Sequence, residues 1–211
     1  MTSIYRIALA TFAALISSCS NGPGPTQAGS ETTSGVEIAS QGATIRGTTT
    51  PGAKVSIFDV RYNPDDTPIV VVDSAIADDS GHVTFSDLPS GRYNVFVYRH
   101  DSLLGAAALG IPIATNSIGM YADTETFTSL RTIAGTVTKN GQSLSLTQVF
   151  IAGSPFNSKT DIRGGFSFQG VPAGDYGIKV RDLVKGGYSI DSGAVRVPAT
   201  GDSIVAVNVD L

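Results

Sequence analysis

Apolar residues recur at every second position in several short segments of the chain, and none recurs at helical spacing over a convincing length. In residues 93–98, Tyr93, Val95 and Val97 fall on one side, and in 176–181 Tyr176, Ile178 and Val180 do the same. The intervening Gly177, Lys179 and Arg181 are expected to face water. Val83 and Phe85, like Phe166 and Phe168, mark the strand before each of these. Between the two strands stand Pro89 and Gly91 in one case and Pro172 and Gly174 in the other. Proline presets φ and glycine permits φ > 0, so a tight turn is predicted at both places. Near the end of the sequence Val205, Val207, Val209 and Leu211 alternate as one more strand. Many short strands with frequent turns predict an all-β sandwich.

These segments are also copies of one another. Residues 78–97 lie on 161–180 without a gap, matching Asp78 with Asp161, Gly81 with Gly164 and Phe85 with Phe168. The same alignment pairs Pro89 with Pro172, Gly91 with Gly174, Tyr93 with Tyr176 and Val97 with Val180. Upstream, 44–48 matches 132–136, in a register that differs by five residues. The longer loop at 61–68 can absorb that difference. Two tandem domains are therefore expected, over 36–127 and 128–211, each large enough to fold alone.

The N-terminal pattern is different. One positive charge at Arg6 precedes an apolar run over 7–16, the length of a signal-peptide core and short of the about 20 residues of a permanent span. The run ends in Leu15, Ile16, Ser17, Ser18 and Cys19, which resembles the bacterial lipobox. That resemblance implies cleavage after residue 18 and lipid on Cys19. Cys19 is the chain's single cysteine, so no internal disulfide can form. Two or three acyl chains hold a protein stably, because each buried methylene contributes about 0.8 kcal/mol. Ser20, where an aspartate would imply retention in the inner membrane, implies the outer membrane of a two-membrane bacterium. Residues 19–35, rich in Gly, Pro, Ser and Thr, read as a flexible tether.

Composition narrows the function classes. With 24 glycines, 10 prolines and 15% charged residues, the chain suits a turn-rich globular protein. A net charge of −4, with 14 scattered basic residues, argues against nucleic acid as a partner. There is no tryptophan, although 7 Tyr and 9 Phe could still stack on a sugar.

The spacing Asp-x-x-Gly-x-Phe-x-Phe-x-x-Val-Pro-x-Gly-x-Tyr-x-Ile-x-Val at 161–180 resembles the carboxypeptidase regulatory-like domain. Ile133 to Thr138, followed by Asn140 and Gly141, looks like that family's first strand and turn. The resemblance implies a transthyretin-like, Greek-key β-sandwich and is almost silent on activity. It covers 128–211 well and 36–127 less well, where His82 and Val83 depart from the pattern. Within it Asp78 and Asp161 are expected to accept backbone hydrogen bonds before a strand. Tyr93 and Tyr176 sit where a tyrosine corner would pin the turn.

No chemistry-bearing motif stands out. The two histidines, His82 and His100, lack zinc-ligand spacing, and no nucleophile elbow or phosphate loop is present. Single carboxylates per turn are too few for a calcium site of about six to eight oxygens. Asp65 and Asp66, or Asp78 and Asp79, read as turn chemistry rather than a glycosidase pair. No metal, no cofactor and no catalytic residue is expected, and a hydrolase is the least favoured class.

The copies differ on one face. Phe96 and Tyr98 stand where the second copy has Lys179 and Arg181, and an apolar run over 103–113 has no equivalent. Two readings follow. Either the run covers these aromatics or both pack against the second copy, or Phe96, Tyr98, Tyr62 and Asn63 form a binding surface for a carbohydrate or a partner. The expected function is a non-catalytic structural or binding role in the cell envelope, with carbohydrate or polymer binding as its leading specific form. The alternative is a passive spacer or an assembly component among envelope proteins.

Overall fold

A computed structural model describes residues 42–64, 72–99, 101–114, 118–121, 127–181 and 189–211. Cys19, the tether, Asp65, Asp66 and His100 lie outside the described residues. Among those described there is no helix, and the all-β expectation holds.

The first sandwich opens with β1 (Ala43–Thr48) and β2 (Lys54–Asp59), followed by β3 (Val72–Ile76) and β4 (His82–Leu88). It continues through β5 (Gly91–Tyr98), β6 (Leu104–Ile113), β7 (Ile118–Tyr121) and β8 (Thr128–Ser129). One sheet runs β4-β1-β7, and the other runs β3-β2-β5-β6-β8. β1 pairs antiparallel with β4 and parallel with β7.

The chain then passes through Leu130 into β9 (Arg131–Lys139), the short β10 (Gln142–Ser143), β11 (Gln148–Ile151) and β12 (Asn157–Lys159). β13 (Gly165–Val171), β14 (Gly174–Arg181), β15 (Ser189–Val197) and β16 (Ile204–Asp210) complete the second sandwich. The pairing repeats: β9 lies antiparallel to β13 and parallel to β16, while the facing sheet runs β12-β11-β14-β15. The sequence repeat is thus a repeat of topology.

The alternation predicted from sequence fills the cores. Tyr93, Val95 and Val97 point into the first core with Ile45, Val55, Ile57, Val83 and Phe85. Tyr176, Ile178 and Val180 join Ile133, Val149, Phe166 and Phe168 in the second. Each turn motif takes its expected form. Asp78 Oδ1 accepts from the backbone N–H of Ser80 at 2.9 Å and of His82 at 2.8 Å. Asp161 Oδ1 accepts from Arg163 at 2.8 Å and Gly165 at 2.7 Å. These bonds favour the ionised form and hold both carboxyls below the usual aspartate range. The tyrosine corners close in the same way. Tyr93 donates to the Pro89 carbonyl at 2.8 Å, and Tyr176 to the Pro172 carbonyl at 2.9 Å.

One outward position of the second copy departs from expectation. Arg181 does not extend into water: its guanidinium lies 5.5 Å from the Phe150 ring centroid, and both Lys179 and Arg181 are half-buried. Phe150 occupies the outward side of β11, where a cation on an aromatic face is worth about 0.5–1 kcal/mol or more.

Candidate functional site

The residues singled out for binding meet at one place, and it is not an open surface. β5 is buried on both sides from Tyr93 to Val97. Its inward residues fill the first core, and its outward residues Asn94, Phe96 and Tyr98 meet the second sandwich. Residues 104–113 form β6, which pairs edge-on with β5 rather than covering it, and Ala107 packs against the second core.

Phe96 is 0% exposed and counts among the core residues of the second sandwich, together with Phe58. Its ring stands edge-on to Phe58 at 5.9 Å and to Phe156 at 5.7 Å, and it stacks on Tyr176 at 6.5 Å. Edge-to-face and offset geometries of this kind suit the ring quadrupole. Tyr62 completes the cluster at 5.4 Å from Phe58. Tyr98 is half-buried against the same core. Burial pushes the Tyr98 and Tyr176 phenols well above the usual tyrosine range, so both stay protonated.

Polar groups lock the joint in register. Asn94, buried, donates through Nδ2 to the Gly153 carbonyl at 2.9 Å and accepts from the Gly110 N–H at 2.8 Å. Gly153 N–H donates to the Tyr62 carbonyl at 2.6 Å. Gly153 has φ +66°, and a Cβ there would lie 2.6 Å from Asn94 Nδ2 and 2.8 Å from Val60 Cα. Only glycine permits both that conformation and that approach. At the other side Leu130 N–H donates to the Leu103 carbonyl at 2.9 Å. Asp59, buried beside the joint, is held by Arg61 through contacts of 2.9 and 2.7 Å, and this pairing keeps its carboxyl below the usual range.

Of the sequence-predicted binding residues, Phe96, Tyr98 and Tyr62 come together, with Asn63 half-buried beside Tyr62. What they face is the second sandwich. The Phe96 ring has no exposed area on which a ligand could stack. Sequence reasoning missed Phe156, Asn94 and Gly153. Asn94 carried the one available signal, a polar residue between two aromatic-bearing outward positions and their apolar neighbours.

Beside the joint lies an open cleft of about 620 Å³, reached by Ala107, Thr128, Asp175, Arg196, Pro198 and Thr200. It carries no aromatic ring. His82 is exposed, with Nδ1 3.8 Å from Asp78 Oδ1. Among the described residues no group of three or more His, Cys, Asp or Glu could hold a metal ion, and no helix is long and apolar enough to cross a membrane.

No family model matches the sequence, so the carboxypeptidase regulatory-like resemblance rests on the motif residues alone. No curated protein matches it either. Among solved structures, the TIE protein of Bacillus anthracis is similar at 16% identity and a TM-score of 0.33, over 81% of this chain. This chain spans about a third of that protein's length, 34%. The minor pilin of Streptococcus agalactiae is similar at 14% identity and a TM-score of 0.32, over 80% of this chain and 94% of the pilin. The major pilin subunit of Bacillus cereus is similar at 13% identity and a TM-score of 0.30, over 75% of this chain and 58% of the subunit. Likeness at this level does not extend to function.

Proposed function

We propose that this chain is a non-catalytic envelope protein, anchored by lipid on Cys19, whose two sandwiches act as one stiff body. Its role is to space or assemble other envelope components, on the outer membrane of a two-membrane bacterium. The observation that carries this reading is the joint. Phe96 and Tyr98, the residues best suited to stack on a sugar, are spent on joining the two sandwiches. Asn94 and Gly153 fix the relative orientation with directional bonds, which an independent pair of binding modules would not need. The open cleft near Asp175 and Arg196 lacks a stacking ring.

Spin labels at Thr84 and Ser167, both exposed and one on each sandwich, test this directly. A single narrow inter-label distance distribution is expected, unchanged on addition of soluble glycans. A broad distribution would refute the stiff body. Saturable glycan binding that survives the joint would restore the binding-module reading.

A further inference from the structure

The last strand of the second sandwich is a sheet edge without the guards that its neighbours carry. Among the described residues β16 pairs with β9 on one side only, in unbroken parallel register from Ile204–Thr132 to Asp210–Thr138. Within its span it has no proline, lysine or bulge. The other edges among the described residues are short or interrupted: β7, its counterpart in the first sandwich, has 4 residues, and β8 and β10 have 2 each. β12 is 3 residues long, and β3 is 5. The β13 pairing shifts register between Phe168 and Val171, and that of β15 shifts opposite Gly177 and Lys179. β4 carries Asp87 at φ 58°. Native proteins generally guard exposed edges because they template pairing with another strand.

The ladder shows which backbone groups are open. Thr132 N–H donates to the Ser203 carbonyl, and Leu211 N–H donates to the Thr138 carbonyl. In a parallel ladder this directs the odd-numbered residues 203–211 toward β9. Ile204, Ala206, Asn208 and Asp210 therefore aim N–H and C=O at the free edge. The strand is also held ready. Arg131 donates to the carbonyls of Gly201 at 2.7 Å, Asp202 at 3.1 Å and Ala199 at 3.2 Å, fixing its entry. Thr136 donates to Asn208 and Thr138 to Asp210, both at 2.9 Å. Gly135 lets the two backbones approach, since a Cβ there would collide with the Val207 carbonyl. Pairing would cost little ordering. It would also cover apolar surface now open at this edge: Ile204 is 59% exposed, and Val205 and Val207 are only partly buried.

We propose that β16 pairs antiparallel with β16 of a second copy of this chain, about a two-fold axis at Val207. The strand is self-complementary in that register. Open-edge residues meet open-edge residues, Ile204 with Asp210 and Ala206 with Asn208, giving about eight backbone hydrogen bonds. Val205 faces Val209, and Val207 faces itself, β-branched pairs that stabilise sheets. The lone charge, Asp210, meets Ile204. Slipping the register by two residues toward the strand's start would set Asp210 against Asp202, a like-charge pair that disfavours it. This inference stands apart from the stiffness of the joint, which holds equally in a monomer.

The test uses the full chain in its own membrane. At a non-hydrogen-bonded antiparallel pair, Cα atoms lie about 4.5 Å apart, within disulfide range. Val207→Cys is expected to give a disulfide-linked dimer on mild oxidation. Thr84→Cys and the unaltered chain, which share Cys19, should not. Ala206→Pro removes one outward N–H and leaves the β9 ladder intact, a substitution edge strands tolerate. In the Val207→Cys background it should cut the crosslinked fraction at least tenfold while the thermal melt stays cooperative. Absence of a Val207→Cys dimer above the Thr84→Cys level would overturn the proposal. So would a dimer that survives Ala206→Pro, or a crosslink to a different protein.

Discussion

Replacing Phe96 by alanine tests the joint at its centre. The ring has no exposed area and touches Phe58, Phe156 and Tyr176 at centroid distances between 5.7 and 6.5 Å. Truncating a fully buried phenylalanine costs about 3–5 kcal/mol, from lost transfer energy plus the cavity left behind. The upper half of that range applies here, because neither sandwich can collapse into the gap without breaking the Asn94–Gly153 bond. A domain is stable by about 5–15 kcal/mol in all, so the change is large. With a urea dependence of about 2 kcal/mol/M, the midpoint should fall by about 2 M. The assay is urea unfolding followed by far-UV circular dichroism and by tyrosine fluorescence, which reports alone because the chain has no tryptophan. The unaltered protein should show one coincident transition. In Phe96→Ala the two probes should separate, since the residue belongs to both sandwiches. A midpoint shift below about 0.5 M, with coincident probes, would show that the ring does not join the two cores.

Three further outcomes follow from the geometry and one from the N-terminal sequence. Gly153→Ala forces a non-glycine residue to φ +66° against Asn94 and should cost at least about 1–3 kcal/mol by the same urea assay. Tyr176→Phe deletes the bond to the Pro172 carbonyl and leaves a buried acceptor unpaired, a loss of about 1–3 kcal/mol seen as a lowered melting temperature. Asp78 and Asp161 have folded-state values depressed below 3.8, so their stabilisation is present above that value and lost as pH falls through the folded one. Melting temperature should therefore drop as pH falls below about 4, and the double variant Asp78→Asn, Asp161→Asn should flatten that drop. Cys19→Ser in the full chain should abolish labelling by radioactive palmitate and move the protein from the membrane to the soluble fraction; retained labelling would place the lipid elsewhere.

The periodicity of 93–98 and 176–181 located two strands and their inward faces correctly because a strand's two sides are fixed by the pleat. The turn carboxylates and the tyrosine corners were legible for a related reason: both depend on contacts within 4 residues of the side chain. What lay beyond reach was the object covering the outward face. Phe96 and Tyr98 read as outward, and so they are, but outward from the first sandwich means inward to the joint. Asn94 and Gly153 are 59 residues apart, and nothing local to either names the other. Arg181 shows the same limit. Its spacing says water, while Phe150, brought alongside by the pairing of β11 with β14, draws the guanidinium onto its ring.

The two copies share topology and differ where they would touch a neighbour, and that difference decides how far the architecture can extend. The joint needs a sheet whose outward side offers Phe58, Asn94, Phe96 and Tyr98. On the corresponding sheet of the second sandwich, β14 offers Gly177, Lys179 and Arg181, and Arg181 already lies over Phe150. Stacking another sandwich there would have to bury the charged Lys179 and Arg181 where the first sandwich presents Phe96 and Tyr98. The aromatic surface that makes the first joint is therefore not repeated on β14. Pairing through β16 would draw on backbone instead of such side chains, using the N–H and C=O groups of Ile204, Ala206, Asn208 and Asp210.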